Sequence, residues 1–216
     1  FDEVALTDHL ADNVQALLDE QAPVFDHRKA HTAIFYSISN TQRGLRGVSF
    51  GSFLLKRVID DLKRDFPKLD QFATLSPMPT LATWVGKNPQ LLAELGIELA
   101  PDELASGTWA NDAKQARRLR DPLRQLAANY LASAKQSNGH TAMPFDPVSR
   151  FHLGNGARVE SLNFMADTSA KGFRQSYGLM VNYLYELDEI ETNLEAFAST
   201  GSIAMSATLR RLARKK

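Results

Sequence analysis

The chain contains no cysteine. Disulfides, thiolate zinc sites, iron–sulfur clusters and cysteine nucleophiles are excluded with it, and the composition suits a reducing compartment. Charge of a prevailing sign is also missing: 25 Lys and Arg stand against 25 Asp and Glu, a formal net charge of +0 over 216 residues. Generic attraction to nucleic acid or to a membrane surface therefore has no support, and neither is an expected partner. Any anion site must be local. No run approaches the roughly 18 consecutive apolar residues of a membrane span, and no signal peptide is visible. The chain opens at Phe1-Asp2-Glu3-Val4-Ala5-Leu6, without Met and inside what reads as a strand. The expectation is a piece of a longer protein that lacks its natural N-terminal part. The location expected is cytoplasmic, of the bacterial type, with organellar targeting left open by that missing part.

What is present is a chain that is 44% hydrophobic, enough for a sizeable core. Its most informative stretch is a strand, a glycine-punctuated turn and an amphipathic helix. The strand reads Ala33-Ile34-Phe35-Tyr36-Ser37-Ile38, and the turn runs from Asn40 to Gly51. The helix starts at Ser52 and carries Leu54, Val58 and Leu62 at helical spacing. Such a turn aims free N–H groups and a positive helix end at one point, which suits a phosphate. The plainer reading is a strand-to-helix connection with glycines for tight turning. Arg43, Lys56 and Arg57 are candidate phosphate partners or solvated surface charges.

Elsewhere a helix is expected over Asp8–Glu20 with Thr7 as N-cap. A strand fits Phe72–Leu75, followed by the turn Ser76-Pro77-Met78-Pro79 and a short helix through Trp84. Residues 87–133 read as helical pieces, a helical insertion in which Asp121-Pro122 breaks or begins a helix. Ala134–Pro144 reads as a loop and as the most mobile segment. Val159–Phe164 and Gly178–Tyr185 read as strands, Ser169–Tyr177 as a helix, and two short helices fit 188–198 and 203–213. Strands and helices interleave, which points to mixed α/β.

Several motifs in order carry a resemblance. They are Ile34-Phe35-Tyr36-Ser37-Ile38-Ser39, Gly44-Leu45-Arg46-Gly47-Val48, Leu75-Ser76-Pro77-Met78-Pro79, Phe151-His152-Leu153-Gly154-Asn155-Gly156-Ala157 and Gly178-Leu179-Met180-Val181-Asn182-Tyr183. Together they resemble the catalytic region of the malonyl-CoA decarboxylase family, from about Val4 to Met205. The resemblance implies a GNAT-like acyl-CoA-binding fold, a mixed central sheet flanked by helices. It implies that residues 1–216 form the C-terminal catalytic domain, short of its first strands. The N-terminal helical domain that mediates homo-oligomerisation would lie outside this chain. The segment Arg46-Gly47-Val48-Ser49-Phe50-Gly51 resembles the pyrophosphate loop of GNAT-type acetyltransferases, leading into Ser52, with Ser49 where Gly is usual. A β-carbon there narrows how closely the backbone approaches a phosphate.

The implied reaction converts malonyl-CoA to acetyl-CoA and carbon dioxide, with no metal and no organic cofactor. It needs a carboxylate held out of the thioester plane, a stabilised enolate and an acid at C2. By resemblance Ser76 handles the malonyl carboxylate and His152 donates the proton to C2. Tyr185 stands near the substrate, and Asn155 and Asn182 are candidates for polar support. The residue pattern alone also admits plainer roles. Ser76-Pro77 reads as a helix N-cap and first-turn proline, His152 as a packed histidine, and Tyr185 as a core aromatic. Two other functions share the fold: a GNAT-type N-acyltransferase, for which no carboxylate base is apparent, and a CoA-binding module without chemistry.

Overall fold

The computed structural model describes residues 2–38, 51–138 and 141–214. Its centre is a six-stranded mixed sheet. Strand β1 (Asp2–Thr7) pairs antiparallel with β2 (Thr32–Ile38), and β2 pairs parallel with β3 (Gln71–Thr74). After Leu75 the chain continues as the short β4 (Ser76–Pro77). Both β3 and β4 lie antiparallel along one side of β8 (Met180–Leu184), with β7 (Arg158–Asn163) on its other side. The apolar run Gly178–Tyr185 thus becomes a central strand, buried along its whole length, as a run without alternation requires.

The period of two in the strands separates two cores. One face carries Ala33, Phe35, Phe72, Val181, Tyr183 and Tyr185 into the larger cluster beneath the helices. The other carries Ile34, Ala73, Leu75, Met180 and Leu184 onto Ala11, with Leu10, Val14 and Leu17 packed over them.

Helix α2 (Gly51–Asp65) follows β2 and buries Leu55 and Ile59. The expected helix over Asp8–Glu20 is reduced to α1 (Val14–Leu17). Thr7 does not cap it: Thr7 ends β1, and its hydroxyl donates to the His9 carbonyl. The cap is Asn13, whose Oδ1 accepts from the Ala16 amide, while the Val14 amide is drawn across to the Ala166 carbonyl. Tertiary contact outweighs helix propensity here.

Between β4 and the next strand run α3 (Leu81–Lys87), α4 (Gln90–Glu94), α5 (Pro101–Ser106) and α6 (Ala113–Ser133), the last three covering the stretch expected as helical pieces. Pro122 neither breaks nor starts a helix; it lies inside α6, which Asp112 caps through the Lys114 and Gln115 amides. An interior proline costs about 3 kcal/mol. Burial of Leu119, Leu123, Leu126, Tyr130 and Leu131 on one face offsets it. The expected loop 134–144 contains a hairpin, β5 (Lys135–Asn138) and β6 (Thr141–Pro144). Next comes α7 (Pro147–Leu153), a helix not anticipated as such, with Asp146 as N-cap and proline at N1. Helix α8 (Ala170–Ser176) precedes β8, and α9 (Ile190–Thr200) and α10 (Ala207–Arg214) close the described chain.

Candidate active site

Two strand edges and one short helix assemble the site. Strand β2 pairs with β3 only as far as Phe35 opposite Thr74, and the last link is the Leu75 amide to the Phe35 carbonyl. Beyond that point no described strand pairs with β2 on this side, and the β3–β4 segment bends toward β8 instead. Ser76 faces Val181 in that pairing. Its side chain shares a face with that of Thr74 because the two are two residues apart in extended backbone. Tyr183 and Tyr185 share a face of β8 for the same reason. Helix α7 lays His152 over them.

The contacts form a chain of polar atoms. Ser76 Oγ donates to Thr74 Oγ1 at 2.8 Å and lies 3.3 Å from His152 Nε2. His152 Nδ1 lies 2.7 Å from the Tyr185 hydroxyl. The Tyr183 amide donates to Thr74 Oγ1 at 3.2 Å. Because the Ser76 proton is committed to Thr74, the Ser76–His152 bond needs a proton on Nε2. A neutral ring then has Nδ1 free to accept from Tyr185. The imidazole is stacked on the Tyr183 ring, centroids 4.6 Å apart and planes 25° apart, with Phe151 edge-on at 5.1 Å. Burial pushes the His152 pKa down to about 3, so the ring is neutral at physiological pH. Burial also raises the Tyr183 phenol, with the negative charge of Asp146 adding to it.

Ser76, His152 and Tyr185 are therefore brought together, all nearly sealed from solvent. The helix-cap reading of Ser76 does not hold, since Ser76 is in β4 and Thr80 stands at the start of α3. Tyr185 touches the site through His152. Asn155 donates to the Phe151 carbonyl at 2.9 Å, a bond that closes the end of α7. Asn182 lies on the opposite face of β8, where Nδ2 donates to the carbonyls of Ala11 and Thr74 and Oδ1 accepts from Ser161 and Asn163. Arg46, Gly47, Val48, Ser49 and Phe50 lie outside the described residues, as does Arg43; Gly51 and Ser52 begin α2. Lys56 pairs with Glu191 at 2.9 Å. Among the described residues no group of three or more His, Cys, Asp or Glu is placed to hold a metal, and no helix is long and apolar enough to cross a membrane.

Sequence reasoning missed Thr74, Tyr183 and the helix that presents His152. The first two follow from strand alternation about Ser76 and Tyr185. The helix had a signal in Asp146-Pro147, a capping residue followed by a first-turn proline.

Comparison with known proteins converges on one family. The family described as malonyl-CoA decarboxylase C-terminal domain matches residues 1–216. The mitochondrial malonyl-CoA decarboxylase of Rattus norvegicus is 37% identical over 227 residues, covering 94% of this chain and 45% of the rat protein. The enzyme of the same name from Anser anser anser is 36% identical, covering 94% of this chain and 44% of that one. The crystal structure of malonyl-CoA decarboxylase from Rhodopseudomonas palustris superposes with a TM-score of 0.84 at 45% identity, over 98% of this chain and 49% of that one. The one from Agrobacterium vitis gives 0.83 at 45% identity, over 99% and 53%. The chain thus spans about half the length of the relatives it matches.

Proposed function

Since this chain belongs to the malonyl-CoA decarboxylase family, as the counterpart of its C-terminal domain, we propose that it carries the site that converts malonyl-CoA to acetyl-CoA and carbon dioxide, a carboxy-lyase reaction. Its fold is GNAT-like, like that of its structural neighbours, and the acyl-CoA is the natural occupant of such a fold. The observation that carries the reading is the Ser76–His152 pair. These side chains come from two separate motifs 76 residues apart, and their polar atoms meet at 3.3 Å in a nearly sealed setting.

The chemistry then runs through this chain's own groups. Ser76 Oγ turns from Thr74 to hold the malonyl carboxylate, keeping its C–C bond perpendicular to the thioester plane. That bond breaks, carbon dioxide leaves, and the electron pair moves onto the thioester oxygen as an enolate. His152 Nε2–H delivers its proton to C2. A neutral imidazole can act as acid toward an enolate more basic than itself, and the Tyr185 hydroxyl on Nδ1 stabilises the charge left on the ring. A solvent proton restores the imidazole, so malonyl-CoA and one proton yield acetyl-CoA and carbon dioxide. The low pKa of the free ring supports a neutral resting acid. No metal or organic cofactor takes part.

Arg46 to Ser52 are assigned to the CoA pyrophosphate, and Asn155 to polar support of the substrate. Homo-oligomerisation, through a helical domain outside this chain, and a cytoplasmic location complete the reading.

The test is incubation of the full-length protein with malonyl-CoA, with and without an amine acceptor, following acetyl-CoA and carbon dioxide. Release independent of amine is expected; acetyl transfer that requires the amine overturns the assignment. His152→Ala should lower turnover by about 10²-fold or more, the typical share of a general acid, while CoA still binds. Arg46→Ala should weaken CoA binding more than turnover at saturation.

A further inference from the structure

Ser76 and His152 lie 76 residues apart on different elements, and a buried carboxylate behind them ties both segments together. Asp146 is 2% exposed and caps α7, the helix that carries His152 six residues on. Its Oδ1 accepts from the amides of Val148 and Ser149 at 2.9 and 3.0 Å. Its Oδ2 accepts from Tyr130 at 2.9 Å and from Thr80 at 3.1 Å. Thr80 is four residues beyond Ser76 and opens α3, and its hydroxyl also lies 2.7 Å from that of Tyr130. One oxygen of Asp146 therefore fixes the His152 helix, and the other fixes the segment that leaves Ser76. Tyr130, on the buried face of α6, braces the joint from behind.

We propose that Asp146 is a positioning residue that sets the gap between Ser76 and His152. The proposal rests on the decarboxylase reading for its kinetic consequence, though not for its geometric one. The physical ground is that a short helix held by a charge-assisted cap, and a turn held by the same carboxylate, cannot slide independently. An uncapped, unpartnered α7 can shift by the ~1 Å that suffices to cost about 10²-fold in rate.

The test uses the full-length protein and the variants Asp146→Ala, Asp146→Asn and Thr80→Val. Asp146→Ala should lower kcat about 30-fold or more while KM and CoA affinity stay within about threefold. Asp146→Asn keeps an acceptor for the two amides and lets the hydroxyls turn to accept from its NH2 group, so it should recover most of kcat. Thr80→Val loosens only the Ser76 end and should lower kcat severalfold, non-additively with Asp146→Ala. In parallel, ¹⁵N spectra of the histidine rings should show the His152 nitrogens shifted in Asp146→Ala and restored in Asp146→Asn, whether or not malonyl-CoA is the substrate. Shifted rings in a protein that never turns over malonyl-CoA would keep the clamp and remove the reaction. Unshifted rings, or kcat and CoA affinity falling together, would overturn the clamp.

Discussion

Acid should unfold this protein partly through one residue. His152 is buried as a neutral imidazole, with its pKa lowered from 6.5 to about 3 because burial disfavours the charged ring. In the unfolded chain the ring regains its ordinary value. Between the two values the unfolded state binds the proton and the folded state does not, so stability rises with pH across that window. The contribution is complete above pH 6.5 and is lost as pH falls toward 3. The whole gap corresponds to about 5 kcal/mol at ~1.4 kcal/mol per pKa unit. By pH 5 it amounts to about 2 kcal/mol lost relative to pH 7.5. Urea unfolding at the two pH values, on the natural sequence and on His152→Gln, isolates this share because other titrating groups cancel in the comparison. The natural sequence should lose about 2 kcal/mol more than the variant between pH 7.5 and 5. Equal losses would refute the argument that this ring is held neutral by burial.

Tyr185→Phe removes the only hydroxyl placed against His152 Nδ1 among the described residues. A hydrogen bond to a group that develops charge is worth about 1.5–3 kcal/mol, so kcat should fall about 10- to 100-fold with KM little changed in steady-state turnover. Gly156→Ala places a β-carbon against the Ile190 carbonyl at a φ of +85°. It should cost about 2 kcal/mol or more by chemical denaturation, and it would loosen the link between α7 and β7. Leu123→Ala, fully buried next to Pro122, should cost about 2–5 kcal/mol in the same measurement, since α6 depends on that face to tolerate its proline.

The strands were legible because their patterns are local. Ala33 to Tyr36 alternates between two cores, and Gly178 to Tyr185 is apolar but for Asn182 because both faces of β8 are covered. Helix α1 was not legible. Its apolar face is real, but Leu10 and Ala11 pack it onto the sheet from outside any helical turn. Pro122 was misread because local propensity registers a lost amide and not the buried leucines that outweigh it. At the site, Ser76, His152 and Tyr185 came from ordered motifs. No local pattern could supply their mutual contacts, which join residues 33 and 76 positions apart. Thr74 and Tyr183 were within reach of simple alternation once their neighbours were chosen.

Asn182 links the carbonyls of Ala11 and Thr74, so one amide bridges residues 171 and 108 positions away. The strand beneath the site is thereby tied to two segments far from it in sequence. Loop closure over such distances is slow and comes late on the way to the native state. Helical signal from α6, built on local contacts, can return while β3, β8 and the N-terminal segment are still apart. The polar chain from Thr74 to Tyr185 therefore exists only in the finished molecule. A half-folded chain would carry every residue of the site and none of its geometry.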